Sequence, residues 1–445
     1  MGGSDAIARR IGIDQSKAPE PPLSDRPIDP ARYYNRDFWK REWDKMWTRT
    51  WQIAGLVRQL QKKGDFISTD FGPETILCTL ADDGRIRAFY NVCQHRGMLL
   101  VGEEHGCAAN ARLVCPYHGW TYDMQGKLRS VPDVPDFKQG NPCGKRNLVE
   151  IPCDTWGGFV WFNMDPACAP LRDYLSPVAQ QMEAYPLEQM VRTLWVTIEG
   201  DWNWKLVQDN FNESYHVPFL HPHLKYVLEY SYRYSQFDLY PGGHCRMLMP
   251  GGSPSKLVQG GEEETLTAMT EPLKYWDLDP EDFRGRTQDI REALRNNRRQ
   301  LGEAKGFDFS GYDDAMLTDN WHYTMFPNLA FSLKPDGNIF TRARPHPSDP
   351  EKCYFDMWFM NLFPKGETRY WCHSLRTWLN LDEAVPHQRG KFGECELGPT
   401  IESDARVWSA VQKGLHSRGY QGDYLAWQER RVRFFHDVLD GYMEK

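Results

Sequence analysis

Two short Cys/His pairs between residues 93 and 118 constrain the fold of this chain more than any other feature. Cys93 and His95 stand in CQH, Cys115 and His118 stand in CPYH, and nineteen residues separate the pairs. Two thiolates and two imidazoles suit a zinc ion, or an iron–sulfur cluster in which histidines replace cysteines on one iron. Zinc modules usually open with Cys-x2-Cys and close with their histidines. The mixed pairs favour a binuclear centre, with a zinc-stabilised binding module as the alternative.

The sequence around the pairs predicts short strands joined by tight turns. The runs DFISTDF, ETILCTL and IRAFYNVC have the composition of strands, and Asp83-Gly84 between the last two is a hairpin-turn signal. Gly97 and Gly119 follow the two pairs and allow the backbone to turn close to a bound group. We therefore expect the Cys/His pairs to lie on loops of a small β domain.

The segment CQHRG…CPYHGWTY resembles the Rieske [2Fe-2S] motif of the Rieske non-haem iron oxygenases, including the Arg-Gly after the first histidine. The likeness extends through the flanking strands to about residue 164. It implies that Cys93 and Cys115 bind one iron of the cluster, while His95 and His118 bind the other. Histidine ligands raise the reduction potential above that of an all-thiolate cluster.

A second group of metal-binding residues follows in DNFNESYHVPFLH. Glu213 and His216 are three apart and are predicted to face the same side of a helix that runs to Pro218. A break at Pro218 allows His221 to fold back toward His216. Two imidazoles and one carboxylate form the facial triad of non-haem Fe(II) oxygenases, which leaves coordination positions for O2.

The carboxylate of this triad is expected from Asp404, far along the chain. Asp404, Val407, Trp408, Val411 and Leu415 recur at helical spacing and predict one buried stripe. A buried carboxylate is unfavourable unless it is paired or bound to a metal. The alternative is that Asp404 lies at the start of the helix, where the positive end of the helix dipole stabilises it.

These segments are similar to the same oxygenase family. The resemblance implies that His216, His221 and Asp404 bind a mononuclear Fe(II). It also implies that Glu213 hydrogen-bonds His216 and, across a subunit boundary, the cluster ligand His118, which gives an electron bridge between the two centres. A homotrimer with head-to-tail contacts follows from that arrangement.

Two positions depart from the usual family pattern. Glu213 stands where the best-known ring dioxygenases have Asp, and the Glu variant is found in oxygenases that hydroxylate quaternary amines. Ser403, before Asp404, stands where an acid is common. In addition, Asp209 lies four residues before Glu213, and this like-charged pair requires a partner.

The resemblance implies an α+β fold, with a small all-β Rieske domain and a catalytic domain of antiparallel sheet covered by helices (helix-grip or START-like). We expect an N-terminal helical arm over residues 1–49 that packs on the catalytic domain. The Rieske domain is expected over 50–165 and the catalytic mononuclear iron domain over 166–445. Within the arm, Trp39, Trp43, Met46 and Trp47 predict a helix that begins near residue 34.

Composition narrows the classes of partner. Lys plus Arg number 53 against 61 Asp plus Glu, a net charge of -8, so neither nucleic acid nor a membrane is expected as a partner. Eleven cysteines and the lack of an apolar leader predict reduced thiols and a cytoplasmic location. No GxGxxG fingerprint occurs, so NAD(P)H is expected on a separate reductase.

The predicted function is that of a terminal oxygenase component with a [2Fe-2S] Rieske cluster, a mononuclear Fe(II) and O2 as co-substrate. It is expected to receive electrons from a separate NAD(P)H-dependent reductase, with or without a ferredoxin. The sequence does not decide whether a beta subunit is present. The expected reaction is mono- or dihydroxylation of an aromatic or similarly apolar compound. One alternative is a monooxygenase or demethylase of a quaternary amine or of a methoxy or N-methyl substrate. The other is a Rieske electron-transfer protein without oxygenase activity.

Overall fold

A computed structural model describes residues 20–444, so the first nineteen residues of the predicted N-terminal arm lie outside the described residues. The chain divides into two compact units. One contains residues 20–39, Gln180–Arg344 and Pro350–Glu444, and the other contains Lys40–Ala179 with Pro345–Asp349. The predicted domain boundaries, at residues 49 and 165, are not tested by this division into two units and remain predictions.

Helices are numbered in chain order. They are α1 (Arg36–Lys45), α2 (Leu171–Tyr174), α3 (Val178–Met182), α4 (Trp204–Phe211), α5 (Val217–Leu220), α6 (Glu262–Tyr275), α7 (Ile290–Leu301), α8 (Pro399–Leu415) and α9 (Arg430–Glu444). The helix predicted near residue 34 is α1, but it ends at Lys45. Met46 and Trp47 are fully buried beyond its end, while Trp39 and Trp43 are half-buried.

The unit that carries the Cys/His pairs consists mainly of short strands. They are β1 (Gln52–Leu56), β2 (Asp65–Phe71), β3 (Glu74–Leu80), β4 (Ile86–Tyr90), β5 (His105–Cys107), β6 (Arg112–Val114), β7 (Thr121–Asp123), β8 (Leu128–Ser130), β9 (Glu150–Ile151), β10 (Cys153–Trp156) and β11 (Phe159–Phe162). They form three sheets of order β1-β11-β10, β5-β2-β3-β4-β9 and β6-β7-β8. The prediction of a small β domain is confirmed.

The Cys/His pairs lie on two loops of this unit. Strands β6 and β7 pair antiparallel, with Val114 opposite Thr121, so the hairpin between them carries the second pair. The first pair follows strand β4. Cys93 and Cys115 belong to one apolar cluster with Trp120, and this packing fixes the base of both loops.

The other unit is built on a large sheet. Its strands are β12 (Val191–Gly200), β13 (Gln236–Leu239), β14 (Cys245–Met249), β15 (Asn320–Met325), β16 (Leu329–Lys334), β17 (Gly337–Pro345), β18 (Cys353–Asn361) and β21 (Gln388–Lys391), while β19 (Arg369–Cys372) and β20 (Thr377–Asn380) form a separate hairpin. The order in the large sheet is β13-β14-β15-β16-β17-β18-β12-β21. Strand β12 pairs antiparallel with β18 but parallel with β21. The expected antiparallel character therefore fails at this edge strand.

Helices cover one face of the large sheet, as predicted. Nε2 of His322 on β15 lies 2.9 Å from the carbonyl oxygen of Phe211, the last residue of α4. The Trp408 ring of α8 lies 5.3 Å from the Phe355 ring of β18, and Arg431 of α9 donates to Thr324 of β15 at 3.0 Å. Three helices thus meet the sheet where the second group of metal-binding residues begins.

Strand β18 is buried on both faces in its middle. Phe355 and Met357 are buried on one face, and Asp356 and Trp358 on the other. The Asp356 carboxylate accepts from Arg342 and Arg344 at 2.7 Å each, which compensates for its burial.

Within residues 20–444, no helix combines the length and the apolar character that crossing a membrane requires.

Candidate metal centres

The two Cys/His loops are closed by the same turn. In each loop a glycine N–H donates to the carbonyl of the cysteine four residues earlier, Gly97 to Cys93 at 3.1 Å and Gly119 to Cys115 at 3.0 Å. Both glycines have positive φ, +77° and +69°, a region that L side chains rarely adopt. The glycines noted in the sequence therefore shape both loops in the same way.

The imidazoles of the two loops meet. The Nδ1 atoms of His95 and His118 are 3.2 Å apart, and the Trp120 ring stacks on His95 with centroids 4.7 Å apart. Burial, His118 and Arg96 lower the pKa of His95, which favours its neutral form. Without a cation, one ring would donate its Nδ1–H to the other, whereas with a cation both Nδ1 lone pairs can point at it. The pair therefore fits a shared metal ion.

The two thiols of these loops are buried, with Cys93 1% and Cys115 2% exposed. Tyr122 accepts the N–H of Gln94 at 3.0 Å, so its own O–H can donate to Cys93 Sγ, 3.4 Å away. Burial raises the pKa of the Cys93 thiol and the Tyr122 hydrogen bond lowers it, with a net rise. A bound metal would hold both sulfurs as thiolates. The four side chains fit a cluster with thiolates on one iron and imidazoles on the other.

The segment that holds the second group differs from the prediction at its start. Helix α4 ends at Phe211, whereas the sequence predicts a helix as far as Pro218. Asn212 ends it because its side chain accepts from Thr324 on β15 at 2.7 Å, a contact with a distant strand. Pro218 lies in the first turn of α5, where its missing N–H is not needed.

Glu213 and His216 meet through a turn, so the prediction that they share a helix face was wrong. The Glu213 carboxylate accepts the backbone N–H of Tyr215 and that of His216, the latter at 3.1 Å. It also bonds Nδ1 of the His216 imidazole. His216 and His221 flank the single turn of α5, and this turn brings the second imidazole back toward the first.

The structure brings His216, His221 and Asp404 together. One ligand atom from each lies within 4.8 Å of the other two. The rings of His216 and His221 are 5.1 Å apart at 84° to each other, so their nitrogens approach Asp404 from different directions. His221 and Asp404 are each 2% exposed. The group is thus a buried set of two imidazoles and one carboxylate.

Ser403 determines which nitrogen of His221 carries the proton. The Ser403 hydroxyl donates to the carbonyl of Thr400 at 2.7 Å, so it can only accept from Nδ1–H of His221, at 3.1 Å. Nε2 of His221 then presents a lone pair to Oδ1 of Asp404 at 2.9 Å. A lone pair facing a carboxylate oxygen at this distance is repulsive unless a cation lies near both.

Glu213 has the same effect on His216. Because its carboxylate accepts at Nδ1, Nε2 of the neutral ring carries the lone pair, 3.8 Å from Oδ1 of Asp404. Burial lowers the pKa of His216, but the hydrogen bond and charge of Glu213 and the charge of Asp404 raise it overall. This pocket therefore favours positive charge. Two imidazole lone pairs and a carboxylate that meet at one place fit Fe(II).

The buried face of α8 is not the stripe predicted from the sequence. Val407 and Val411 are 36% and 40% exposed, whereas Asp404, Trp408 and Leu415 are buried as expected. The alternative for Asp404 was also wrong, because Asp404 lies beyond the first turn of the helix. Its burial is compensated by the two imidazoles.

Asp209 has the partners that its like-charged neighbour Glu213 made necessary. Tyr33 donates to Asp209 at 2.7 Å, and Nε2 of His436 lies 3.0 Å from its other oxygen. Arg32 can only donate, so Nδ1 of His436, 3.0 Å away, accepts and Nε2 carries the proton. Residues of the N-terminal arm and of α9 thus hold α4 in place.

The sequence analysis did not predict the roles of two residues that hydrogen-bond the proposed metal ligands. Tyr122 had no assigned role, and Ser403 was noted only as a departure from the family pattern. His223 bonds Thr400 at 3.3 Å and is outside the metal-ligand group found among the described residues. A serine beside a predicted ligand is the signal that could have pointed to Ser403.

Two protein-family models match the chain. The catalytic domain described as "Ring hydroxylating alpha subunit" matches residues 187–445, and the Rieske [2Fe-2S] domain matches residues 50–141. The carnitine monooxygenase oxygenase subunit of Escherichia coli K12 is 32% identical over 88% of this chain and 85% of its own length. The glycine betaine monooxygenase oxygenase subunit of Pseudomonas aeruginosa PAO1 is 32% identical over 44% of this chain and 46% of its own length. The chain thus aligns with about half the length of that second relative.

Solved structures share the fold. The quaternary ammonium Rieske monooxygenase CntA, in complex with an inhibitor, superposes with a TM-score of 0.67 at 18% identity, over 94% of this chain and 95% of CntA. Naphthalene 1,2-dioxygenase from Rhodococcus sp. superposes with a TM-score of 0.62 at 18% identity, over 94% and 95% of the two chains. These findings confirm the predicted fold class, and the family's cofactors are a Rieske cluster and a mononuclear iron that uses O2. The chain belongs to the alpha subunits of the Rieske non-haem iron oxygenases.

Proposed function

We propose that the protein is a terminal oxygenase component that hydroxylates an aromatic or similarly apolar compound with O2. The observation that carries this proposal is the approach of two imidazole lone pairs, from His216 and His221, to the buried Asp404 carboxylate. Iron held there would supply O2 activation, and a cluster held by the Cys/His loops would supply single electrons. Glu213 and Ser403 hold the Nδ1 sides of the two rings, so that the Nε2 atoms are directed at the carboxylate.

The ligand assignment follows the same geometry. We assign His216, His221 and Asp404 to the mononuclear iron, Cys93 and Cys115 to one cluster iron, and His95 and His118 to the other. The Nδ1 atoms of the cluster histidines face each other, whereas the Nε2 atoms of the other two face the carboxylate. Each imidazole thus has a defined nitrogen available for a metal.

Glu213 is proposed as the electron bridge. It already holds Nδ1 of His216, and the family resemblance supports a second bond to His118 of a neighbouring subunit. A homotrimer with head-to-tail contacts would bring the two residues together. The expected donors are a separate NAD(P)H-dependent reductase, with or without a ferredoxin, and a beta subunit is not required by this arrangement.

The test of the bridge is Glu213→Gln in the protein loaded with both centres. We expect both metals to stay bound, while electron delivery in a single turnover slows by about 100-fold, in line with loss of a partner that orients ligands. Glu402→Gln is the matched control, because Glu402 accepts the backbone N–H of Leu397 at 3.4 Å and does not bond an imidazole. Unchanged single-turnover kinetics in Glu213→Gln would exclude the bridge.

An apolar cluster that follows the iron-site segment supports the substrate class. Phe237, Met247 and Met249 form this buried cluster, and Leu228, seven residues after His221, packs on it. Apolar side chains next to a bound substrate would favour an apolar compound, because its surface is removed from water. The proposal is tested by oxygen uptake with a surrogate reductase and a panel of ring compounds, with products identified. No substrate-dependent uptake by iron-loaded protein across the panel would overturn it.

A second candidate is a monooxygenase or demethylase of a quaternary amine or an N-methyl or methoxy compound. It is favoured by Glu213 in place of Asp, and by the similarity to enzymes named for carnitine and glycine betaine. Quaternary ammonium groups are usually held by aromatic faces. Including carnitine and glycine betaine in the substrate panel separates the two candidates. The electron-transfer alternative predicts that Asp404 can be replaced without loss of function.

A further inference from the structure

A row of paired residues crosses the face of the large sheet that carries helix α4. Strand register places these residues side by side in the order Phe237, Met247, His322, Ser332 and Ile339. Directly paired residues of neighbouring strands project from the same face. Because His322 bonds the carbonyl of the last residue of α4, this is the face beside the proposed iron ligands.

Two residues of the row are partly exposed although their strands are central. Ser332 and Ile339 are half-buried, while Phe331 and Phe340, which point to the opposite face, are fully buried. Strands β16 and β17 have neighbours on both sides, so access to their side chains must come through the layer above the sheet. Phe211, at the end of α4 and two residues before Glu213, is half-buried as well. The layer above the sheet therefore leaves the area over Ser332 and Ile339 partly open, and this area is called the recess below.

The hydrogen bonds of His322 fix the polarity of this recess. The Phe211 carbonyl can only accept, so Nε2 of His322 carries a proton and donates it at 2.9 Å. Burial and the charge of Arg431 lower the pKa of His322 to about 3, so its imidazole is neutral and Nδ1 carries a lone pair. Ser332 must then donate its hydroxyl proton to Nδ1, 2.8 Å away. Only acceptor lone pairs remain on Ser332 Oγ.

We propose that Ser332 is a specificity-determining contact, and that it selects apolar ring compounds that bring a hydroxyl or N–H donor to the recess. A substrate that placed a carboxylate, carbonyl or ether oxygen there would set acceptor against acceptor. The hydroxyl of Ser332 cannot turn to accommodate it, because His322 would lose its only donor at Nδ1. This inference rests on the proposed function, since it concerns the substrate of the same centre.

The experiment compares indole with benzofuran, two rings of similar size that differ in an N–H donor and an ether acceptor. Binding to the protein loaded with both centres is measured by anaerobic titration calorimetry. We expect indole to bind at least about tenfold more tightly, the effect of one buried donor matched or left unmatched. Ser332→Thr, which keeps the hydroxyl, should retain the preference, and Ser332→Val should reduce it to less than about threefold.

Thr341→Val is the matched control. Thr341 lies two residues after Ile339 on β17 and projects from the same face, but it is buried. It should leave the ratio of the two affinities unchanged. Equal affinities in the native protein, an unchanged ratio in Ser332→Val, or no binding of either ring would overturn the inference. Preference for indole without any oxygen uptake on the substrate panel would contradict the proposed function, and Ser332 would then select ring ligands but not substrates.

Discussion

The two candidate metal centres orient their imidazoles in opposite ways. In the Cys/His loops the Nδ1 atoms of His95 and His118 approach each other, 3.2 Å apart, and both rings are partly exposed. At the other centre the Nε2 atoms face inward, because Glu213 and Ser403 hold the Nδ1 atoms. The first arrangement leaves the outer nitrogens able to exchange protons and make contacts, whereas the second fixes the proton positions within the protein.

The largest expected effect is from Asp404→Ala, which should abolish iron binding at one centre and leave the other centre intact. Removing the only carboxylate of the three-residue group leaves two imidazoles, so mononuclear iron should be lost and turnover should fall to background. The cluster spectrum should be unchanged because its ligands lie in the other unit. Metal analysis and visible absorbance check both results. Retained turnover would remove Asp404 from the ligand set.

The next effect, from Ser403→Ala, tests whether the inward-facing imidazoles depend on their supports. Without the Ser403 acceptor, the Nδ1 proton of His221 loses its partner, and the ring can rotate or change tautomer. We expect iron affinity to fall by about 10- to 100-fold, as for other partners of metal-bound histidine. Competition with an iron chelator measures the change. Ser409→Ala on the same helix is the control, and equal loss in both variants would contradict the assignment.

A smaller effect is expected from Tyr122→Phe at the cluster. Removing the O–H that can donate to Cys93 Sγ leaves the thiolate with more charge, so the reduction potential of the cluster should fall. Redox titration followed by visible absorbance measures the shift, and iron content at the other centre should stay constant. Tyr90→Phe in the same unit serves as the control. A potential equal to that of the parent protein would show that the contact is electronically unimportant.

The smallest effect concerns Asp423, a carboxyl group that interacts with the charge of Asp209 on α4. Burial, and the charge of Asp209, raise the pKa of Asp423 to about 6 from 3.8. The folded protein therefore binds a proton more tightly at this carboxyl, and stability falls as pH rises from 3.8 to 6. Asp423→Asn should stabilise the protein by about 1 kcal/mol above pH 7, after allowance for partial exposure.

Thermal melts at pH 4 and pH 8 check this prediction. The melting temperature of Asp423→Asn should rise by about 2 °C at pH 8 and remain unchanged at pH 4. Asp382→Asn, at an exposed position of the same unit, should show no difference at either pH. A gain that is equal at both pH values would point to packing rather than to charge.

The cluster loops could be read from the sequence because their determinants are local. Each loop needs a cysteine, a histidine and a glycine within five residues, and Gly97 and Gly119 close identical turns. The strands of this unit could be predicted equally well, because the alternation of apolar and polar residues and the glycines of turns are short-range signals. The family resemblance supplied the rest, and the family models match both parts of the chain.

The iron-site segment was read less well, because distant contacts determine it. Helix α4 ends at Phe211 through a bond between Asn212 and Thr324 of a strand more than one hundred residues away. Pro218, the local signal, marks the start of the next turn instead. The role of Ser403 depends on the direction in which its proton points, and no sequence pattern reports that direction.

The parallel pairing of β21 with β12 also bears on the order in which the protein matures. Strand β21 joins the sheet edge shortly before α8, the helix that supplies Asp404. During synthesis, every cluster ligand has left the ribosome long before this edge strand exists. A nascent chain therefore holds all four cluster ligands well before it holds Asp404. The group of His216, His221 and Asp404 cannot be complete until α8 has emerged.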